Sequence, residues 1–231
     1  MQFNRTLNLL LAVLLIAFFI GCSDDQPTSP VQQGVSKQEV STGQDLSLKK
    51  TTSGSVYLCF DDGPCSNSTT LVNKLKSAGA RATFFIWGNR ISSNSTGFSA
   101  IKNAGFSIQN HSYTHSHMTS WSYSQVYNDL NNCQTAIKNK GCAAPKKFRA
   151  PYLEVNSTIQ SAASALGLSI VQPTVDTKDW NGASTSQIIS ACNNLQSGGN
   201  TLMHDGYSTT DNAISSIVTN LKNRGLSTAQ Y

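Results

Sequence analysis

Residues 56–64 read Val-Tyr-Leu-Cys-Phe-Asp-Asp-Gly-Pro, an apolar run that ends in two adjacent carboxylates and a Gly-Pro pair. β-Branched and aromatic residues before Gly-Pro are typical of a buried strand that ends at a turn. Two carboxylates beside an apolar core repel each other, and burial disfavours the charged form of both. We therefore expect a positive group close to Asp61 and Asp62. Taken alone, the segment is also compatible with an ordinary turn capped by Asp.

Strand and helix patterns alternate along the chain beyond this segment. The clearest helix covers residues 124–138, because Val126, Leu130 and Cys133 fall on one face. This alternation predicts an α/β domain whose parallel sheet is covered by helices, either closed as a barrel or open and doubly wound. Strands are predicted at 56–60, 82–87, 106–109, 147–149, 168–171, 174–176 and 200–203, and the other helices at 69–78, 99–104, 158–166, 186–195 and 212–222.

Polar side chains follow the predicted strand ends. The carboxyl ends of parallel strands lie on one side of the sheet, so residues far apart in sequence meet there. His111 and His115 lie four residues apart, and together with one carboxylate they form a three-ligand set for a divalent metal. The metal is then the missing positive charge, since one Asp can bind it while its neighbour accepts a proton from activated water. The residues at these ends are Asp61, Asp62, His111, His115, Arg149, Tyr152, Asp179, Trp180 and His204.

Each of these patterns has an ordinary structural explanation when it is taken alone. A His pair at this spacing is compatible with a solvated surface, Arg149 with a simple ion pair, and Trp180 with the core or rim. However, the chain has 4 histidines, and three of them share these segments with most of the acidic residues of the domain. This concentration favours one functional site.

Length and charge restrict the class of protein. The 231 residues are 39% hydrophobic and 13% charged, which suits one globular domain. There are 17 basic and 12 acidic residues, for a net charge of +5. The basic residues are scattered rather than arranged in a stripe with interleaved aromatics, so we expect no nucleic acid partner.

The N-terminal segment has the plan of a bacterial lipoprotein signal. Arg5 precedes an apolar run at residues 7–20, which is short for a membrane span of roughly 20 residues. Gly21-Cys22 resembles a lipobox, although a short membrane anchor is the alternative. We therefore expect residues 1–21 to be a signal peptide, Cys22 to carry lipid that binds the membrane, and residues 22–53 to form a flexible tether. The protein would be exported to the cell envelope or cell surface.

Five cysteines remain in the domain after Cys22. An exported protein can form disulfides, and we expect Cys133 to pair with Cys142, because a helix end and the following loop can approach each other. Cys59 is expected to stay free on its buried strand.

The strand-end segments resemble, in order, the five motifs of the NodB-type polysaccharide deacetylases, a family of metal-dependent carbohydrate esterases. The resemblance covers nearly all of residues 54–231, the expected catalytic domain. It implies a distorted parallel (β/α) barrel of about seven strands. Cys59 departs from the family pattern, which usually has Thr there. The matching segments are Phe60-Asp61-Asp62-Gly63-Pro64, His111-Ser112-Tyr113-Thr114-His115, Arg149-Ala150-Pro151-Tyr152, Asp176-Thr177-Lys178-Asp179-Trp180 and Leu202-Met203-His204-Asp205.

The resemblance also implies a role for each residue of the site. Asp62, His111 and His115 would hold one divalent metal ion, zinc or cobalt. Asp61 would be the general base, oriented by Arg149, and His204 the general acid, oriented by Asp179. The backbone N–H of Tyr152 would stabilise the oxyanion, while Trp180 and Leu202 would wall a pocket for the acetyl methyl group. His117 is expected at the rim rather than on the metal, and Asp205 is treated as a loop residue.

The implied activity is metal-dependent deacetylation of an acetylated polysaccharide by a monomer. Segments 87–90, 122–127 and 179–184 look like those of acetylxylan esterases, which favours removal of O-acetyl groups from acetylxylan. Two alternatives remain: an N-deacetylase of chitooligosaccharide or peptidoglycan, and a non-catalytic carbohydrate-binding envelope lipoprotein. Aromatic residues that could stack on sugar rings at the mouth are Trp87, Trp121, Tyr123 and Tyr152.

Overall fold

The computed structural model describes residues 53–231, in which strands and helices alternate. The strands are β1 Gly54–Tyr57, β2 Cys59–Gly63, β3 Thr83–Ile86, β4 Ser107–Asn110, β5 Lys147–Phe148, β6 Ser169–Ile170, β7 Val175–Asp176, β8 Thr201–His204 and β9 Leu226–Ala229. The helices are α1 Ser68–Ala78, α2 Arg90–Ser93, α3 Ser95–Asn103, α4 Tyr123–Asn139, α5 Ser157–Ala165, α6 Thr185–Cys192 and α7 Ser208–Asn223. Short 3₁₀ turns cover Pro151–Leu153 and Asp179–Asn181.

A curled parallel sheet organises the domain. Seven strands pair in the order β6-β5-β4-β3-β2-β8-β7, and every pair is parallel. Since β6 and β7 are the two edges, the sheet forms a half-barrel rather than a closed ring. The predicted distorted (β/α) barrel of about seven strands is confirmed.

The first predicted strand is divided in two. β1 pairs with β9 in a separate two-stranded sheet, and the chain enters the main sheet only at Cys59. Strand β9 was not predicted, because its sequence Leu-Ser-Thr-Ala shows little apolar alternation and its partner lies far away in sequence. Its pairing joins the two ends of the described chain.

Apolar contacts between the strands and the helices that cover them fix the strands. The main core includes Phe60 and Phe84, whose rings stack at 5.3 Å, and the buried faces of α1, α3, α6 and α7. A second cluster under α4 and α5 includes Phe148 and Ile159. Burying such a side chain stabilises the fold by roughly 1.5–3 kcal/mol. The polar residues at the strand ends are therefore carried on rigid elements.

The predicted disulfide is wrong. Within residues 53–231 every cysteine is a free thiol. Cys133 lies on the buried face of α4, where its Sγ donates to the carbonyl of Ile86 at 3.3 Å, while Cys142 lies beyond the end of the helix. Cys59 is free and buried as expected, and burial raises the pKa of its thiol to about 12.

The predicted signal peptide, the lipid on Cys22 and the tether lie outside the described residues. Between residues 53 and 231, no helix combines the length and apolar character needed to cross a membrane.

Candidate active site

The carboxyl ends of the strands surround one cavity of about 470 Å³. Every site residue predicted from the sequence is found there. Arg149 and Asp179 lie behind its wall, where they contact Asp61 and His204 respectively. The other predicted residues line the cavity directly: Asp61, Asp62, His111, His115, Tyr152, Trp180, Leu202 and His204.

Asp62, His111 and His115 form a group that fits a metal ion. Asp62 Oδ1 lies 3.2 Å from His111 Nε2 and 3.0 Å from His115 Nε2, and one ligand atom from each residue falls within 4.8 Å of the others. Across the described residues, the buried Asp62 Oδ1 has no well-aligned hydrogen-bond donor. His111 Nδ1 is 2.7 Å from the carbonyl of Arg149, so Nδ1–H donates there and Nε2 keeps its lone pair for a cation. The donor set suits a divalent metal.

The same group keeps Asp62 ionised. Burial alone would raise the pKa of this carboxyl. The close approach of the His111 and His115 rings outweighs burial and brings the pKa of Asp62 well below its usual range. At neutral pH the cavity therefore presents a carboxylate to any cation it binds.

The loop that carries the two histidines is held by Asp129, which sequence reasoning missed. Its carboxylate accepts hydrogen bonds from the backbone N–H groups of Tyr113 at 2.7 Å and Thr114 at 3.1 Å, and from Thr114 Oγ1 at 2.7 Å. His115 has a φ of 56°, a left-handed conformation that needs support from its surroundings. The signal was available, because Asp129 is an acid on the apolar face of the α4 helix beside Leu130.

Arg149 is the positive group expected near the paired carboxylates. Its Nη1 lies 3.0 Å from Asp61 Oδ1, and both side chains are buried. The same guanidinium donates to the carbonyl of Thr201 at 3.1 Å and to Asn200 Oδ1 at 2.5 Å. Its carbon lies 4.5 Å from the ring centre of Phe85. These contacts leave Asp61 with a fixed orientation toward the cavity.

Asp179 fixes the imidazole of His204. His204 Nδ1–H donates to Asp179 Oδ1 at 2.8 Å, while Asp179 Oδ2 accepts from the backbone N–H of His204 and from Thr210 Oγ1, each at 2.7 Å. Burial alone would lower the pKa of His204, but the hydrogen bond and charge of Asp179 raise it overall. The ring can therefore carry a proton on Nε2 near neutral pH.

Aromatic side chains form the rim of the cavity. Tyr152 and Trp180 are 53% and 48% exposed. Trp180 Nε1–H donates to Asp176 Oδ1 at 3.3 Å, and the ammonium of Lys178 lies 5.1 Å from its ring centre. Asp176 and Lys178 also line the cavity, and sequence reasoning gave neither a role. Tyr207 is a further lining residue that was missed.

His117 lies at the rim, as expected. Its ring stacks on Tyr152 with centres 3.7 Å apart, and its Nδ1 is 3.1 Å from the carboxylate of Glu154. Of the other aromatics expected at the mouth, none lines the cavity: Trp87 packs on His115, Trp121 packs against the second core cluster, and Tyr123 lies elsewhere on the surface.

Asp205, which was treated as a loop residue, has a structural role. Its carboxylate is buried, accepts from Ser68 Oγ, and lies 3.3 Å from Cys65 Sγ. Burial raises the pKa of Asp205 to about 6. The side chain ties the turn after Gly63 to the end of β8, which carries His204.

Comparison with known proteins identifies the family of the chain. Residues 48–171 match the family described as polysaccharide deacetylase. A bifunctional xylanase/xylan deacetylase of Cellvibrio japonicus is 52% identical over 176 residues, 75% of this chain and 26% of that protein. The peptidoglycan-N-acetylglucosamine deacetylase PgdA of Listeria monocytogenes is 32% identical over 182 residues, 77% of this chain and 38% of that protein. The chain thus spans well under half the length of these curated relatives.

A solved structure shows the same fold. The family 4 carbohydrate esterase from Streptomyces lividans, in complex with acetate, matches with a TM-score of 0.75 at 40% identity, covering 77% of this chain and 92% of that chain. The family match spans more than half of the sequence, and the five motifs meet at one cavity. The chain therefore belongs to the polysaccharide deacetylase family.

Proposed function

We propose that the protein removes O-acetyl groups from acetylated xylan, with a divalent metal bound at Asp62, His111 and His115. The observation that carries the proposal is the meeting, in one cavity, of this metal-binding group with a fixed carboxylate, Asp61, and a fixed imidazole, His204. Xylan is favoured over other polysaccharides because the Cellvibrio relative, whose name includes xylan deacetylase, is 52% identical.

The metal would be zinc or cobalt, since a set of one carboxylate and two imidazoles suits both. When bound, such an ion acts as a Lewis acid and lowers the pKa of water to about 7. His111 is fixed for this role by its hydrogen bond to the Arg149 carbonyl, and His115 by its packing between Trp87 and Tyr152.

Asp61 would act as the general base. Its carboxylate accepts the proton of the attacking water while Arg149 holds it in place at 3.0 Å. Because water is the nucleophile, the reaction needs no acyl-enzyme and no Ser nucleophile.

His204 would act as the general acid. With Nδ1 bound to Asp179, its Nε2–H is the proton that passes to the departing sugar oxygen. Its raised pKa keeps the imidazolium form available at the pH at which Asp61 must be ionised. The two groups thus hold opposite protonation states at one pH.

The remaining residues would bind the acetyl group. The backbone N–H of Tyr152 donates to the developing oxyanion, which preorganised donors stabilise strongly. Tyr152 has a φ of 55°, a left-handed conformation that turns the chain at the cavity wall. Leu202, which is buried, and Trp180 supply apolar walls for the methyl group.

The test is acetate release by the purified protein from acetylated xylan and from N-acetylglucosamine oligomers in parallel. The protein is first treated with a chelator and then resupplied with zinc or cobalt. We expect release from xylan, loss after chelation, recovery with metal, and a loss of at least a hundredfold in Asp61→Asn. The Asp61→Asn variant should retain its circular dichroism spectrum.

Other outcomes assign a different function. Release from the amino sugar alone would keep the mechanism and make the protein an N-deacetylase, in line with its 32% identity to the peptidoglycan deacetylase. A folded, metal-loaded protein that releases acetate from neither substrate would refute the enzymatic proposal and favour a carbohydrate-binding module.

We further propose that the monomeric protein is exported and anchored to the membrane of the cell envelope by lipid on Cys22. The sequence pattern of residues 1–22 supports this. Metabolic labelling with a radioactive fatty acid should mark the wild-type protein and leave Cys22→Ala unlabelled. Labelling of both, or of neither, would contradict the anchor. The molar mass of the Cys22→Ala protein, measured by light scattering, tests whether the protein is a monomer.

A further inference from the structure

The loop that follows β3 and leads into Arg90, the first residue of α2, joins the two segments that carry the metal-binding residues. The backbone N–H of Trp87 donates to the carbonyl of Gly63 at 2.8 Å, next to the end of β2. The N–H of Gly88 donates to the carbonyl of Ser112 at 2.9 Å, in the loop of the two histidines. Gly88 also packs closely, since an added Cβ would lie 3.0 Å from the α4 backbone. The loop therefore connects the ends of β2 and β4.

Arg90 is the side chain through which this loop contacts both groups of ligands. Its Nη1 donates to the backbone carbonyl of Asp62 at 2.8 Å. Its guanidinium carbon also lies 3.9 Å from the ring centre of Trp87. The Trp87 ring also stacks on His115, with ring centres 4.5 Å apart and planes inclined by 26°. One guanidinium thus restrains the backbone of Asp62 and, through Trp87, the ring of His115.

These contacts act on two residues whose backbone conformations are unfavourable. Asp62 has a φ of 66° and His115 a φ of 56°, left-handed values that L residues rarely adopt without support. Within the described part of the chain, the buried Nε1 of Trp87 has no hydrogen-bond partner. Stacking is therefore what orients the indole ring. A planar guanidinium can stack and donate at once, whereas the ammonium of lysine cannot reproduce that geometry.

We propose that Arg90 is a positioning residue that sets the affinity of the site for its divalent metal. It acts through Asp62 and His115 and does not touch the reacting atoms. The inference rests on the proposed function only in requiring that the site bind a metal. Residues that orient ligands in this way typically change metal affinity by about 10–100-fold when replaced.

The test is the dissociation constant for Zn²⁺ and for Co²⁺, measured by competition with a chromophoric chelator. Arg90→Met should bind both ions about tenfold or more weakly than the wild type, and Arg90→Lys should fall in between. Arg81→Met is the matched control, because Arg81 is exposed and precedes β3 at the opposite end of the sheet. It should bind like the wild type. Urea unfolding of the chelated proteins should give similar midpoints for all four.

Equal affinities in Arg90→Met and the wild type would overturn the inference. It would also be overturned if the chelated Arg90→Met protein lost its folded structure, since Arg90 would then act on the fold in general. Equal loss of affinity in the Arg81→Met control would overturn it as well, because the effect would not be specific to Arg90. At saturating metal, Arg90→Met should recover most of the wild-type kcat. Wild-type metal binding without acetate release would refute the proposed function alone, because the affinity comparison needs no turnover. No metal binding by the wild type would overturn both.

Discussion

Replacement of Arg149 by Met tests the contact that holds Asp61, the proposed general base. Arg149 is fully buried, and its guanidinium is bonded to Asp61, to the Thr201 carbonyl and to Asn200 Oδ1. Met is unbranched and fills part of the same space, but it leaves those acceptors unpaired and Asp61 as an uncompensated buried charge. Removal of one partner from a buried ion pair costs about 3–5 kcal/mol. We expect a loss of this size in the free energy of unfolding at pH 7.

The assay is urea unfolding of the chelated protein, followed by circular dichroism, in a double-mutant cycle. Asp61→Asn alone keeps the other partners of Arg149, so it should cost about 1–3 kcal/mol. The double variant Asp61→Asn/Arg149→Met should be more stable than Arg149→Met alone by about 2 kcal/mol, because the unpaired charge is gone. Lys146→Met, at an exposed position just before β5, is the control and should stay within about 0.5 kcal/mol of the wild type.

Two results would refute this reasoning. A loss below about 1 kcal/mol in Arg149→Met would show that Asp61 is not held as a buried charge. Additive losses in the double variant would show that Arg149 and Asp61 act independently. In either case, a contact other than the one with Arg149 would have to orient Asp61.

Three further predictions concern the groups around His204. Asp179→Asn should lower the pKa of His204, because Asp179 raises it. The alkaline limb of the plot of kcat against pH should therefore move to lower pH, and a limb that does not move would count against His204 as the acid. The fold raises the pKa of Asp205 from 3.8 to about 6. The stability linked to protonation of this carboxyl is therefore fully present below pH 4 and is lost as the pH rises through 6. Urea unfolding should show that the chelated wild type loses roughly 3 kcal/mol more than Asp205→Asn over this interval, and parallel pH curves would contradict the assignment. Gly63→Ala should reduce kcat/KM for acetylated xylan about a hundredfold, because its Cβ would lie 2.7 Å from the Asp205 carboxylate; wild-type activity would show that the turn adapts.

The sequence predicted that the site residues lie together because they follow strand ends. A parallel sheet brings those ends to one side whatever the exact register, so Asp61, His111, Arg149 and His204 could be placed together from the alternation alone. The match to five motifs then gave each residue a role. These inferences needed only the order of the elements and the chemistry of the side chains.

The contacts that support the site could not be predicted in the same way. Asp205 bonds to Ser68 and Arg90 to the Asp62 carbonyl, partners that lie 28 or more residues away in sequence. Whether such contacts form depends on the directions of side chains in loops that contain left-handed residues. A pattern of apolar spacing contains no such information. The pairing of β1 with β9 was missed for the same reason, because it joins the ends of the domain. The wrong disulfide between Cys133 and Cys142 followed from proximity in sequence, although the apolar spacing had already placed Cys133 with Val126 and Leu130 on the face of the helix that is buried.

The two adjacent carboxylates reach different partners in one cavity because β2 is irregular where they lie. In a regular strand, successive side chains point to opposite faces of the sheet, so Asp61 and Asp62 would be separated. The register of β2 against β3 shifts between Phe60 and Gly63, and Asp62 has a φ of 66°. Irregularities of this kind re-aim side chains next to active sites. Both carboxylates therefore face one cavity, where Arg149 stabilises the charge of Asp61, and His111 and His115 stabilise that of Asp62. Arg149 and the two imidazoles follow other strands, so the repulsion between the two carboxylates is offset only in the folded chain, and the site and the fold form together.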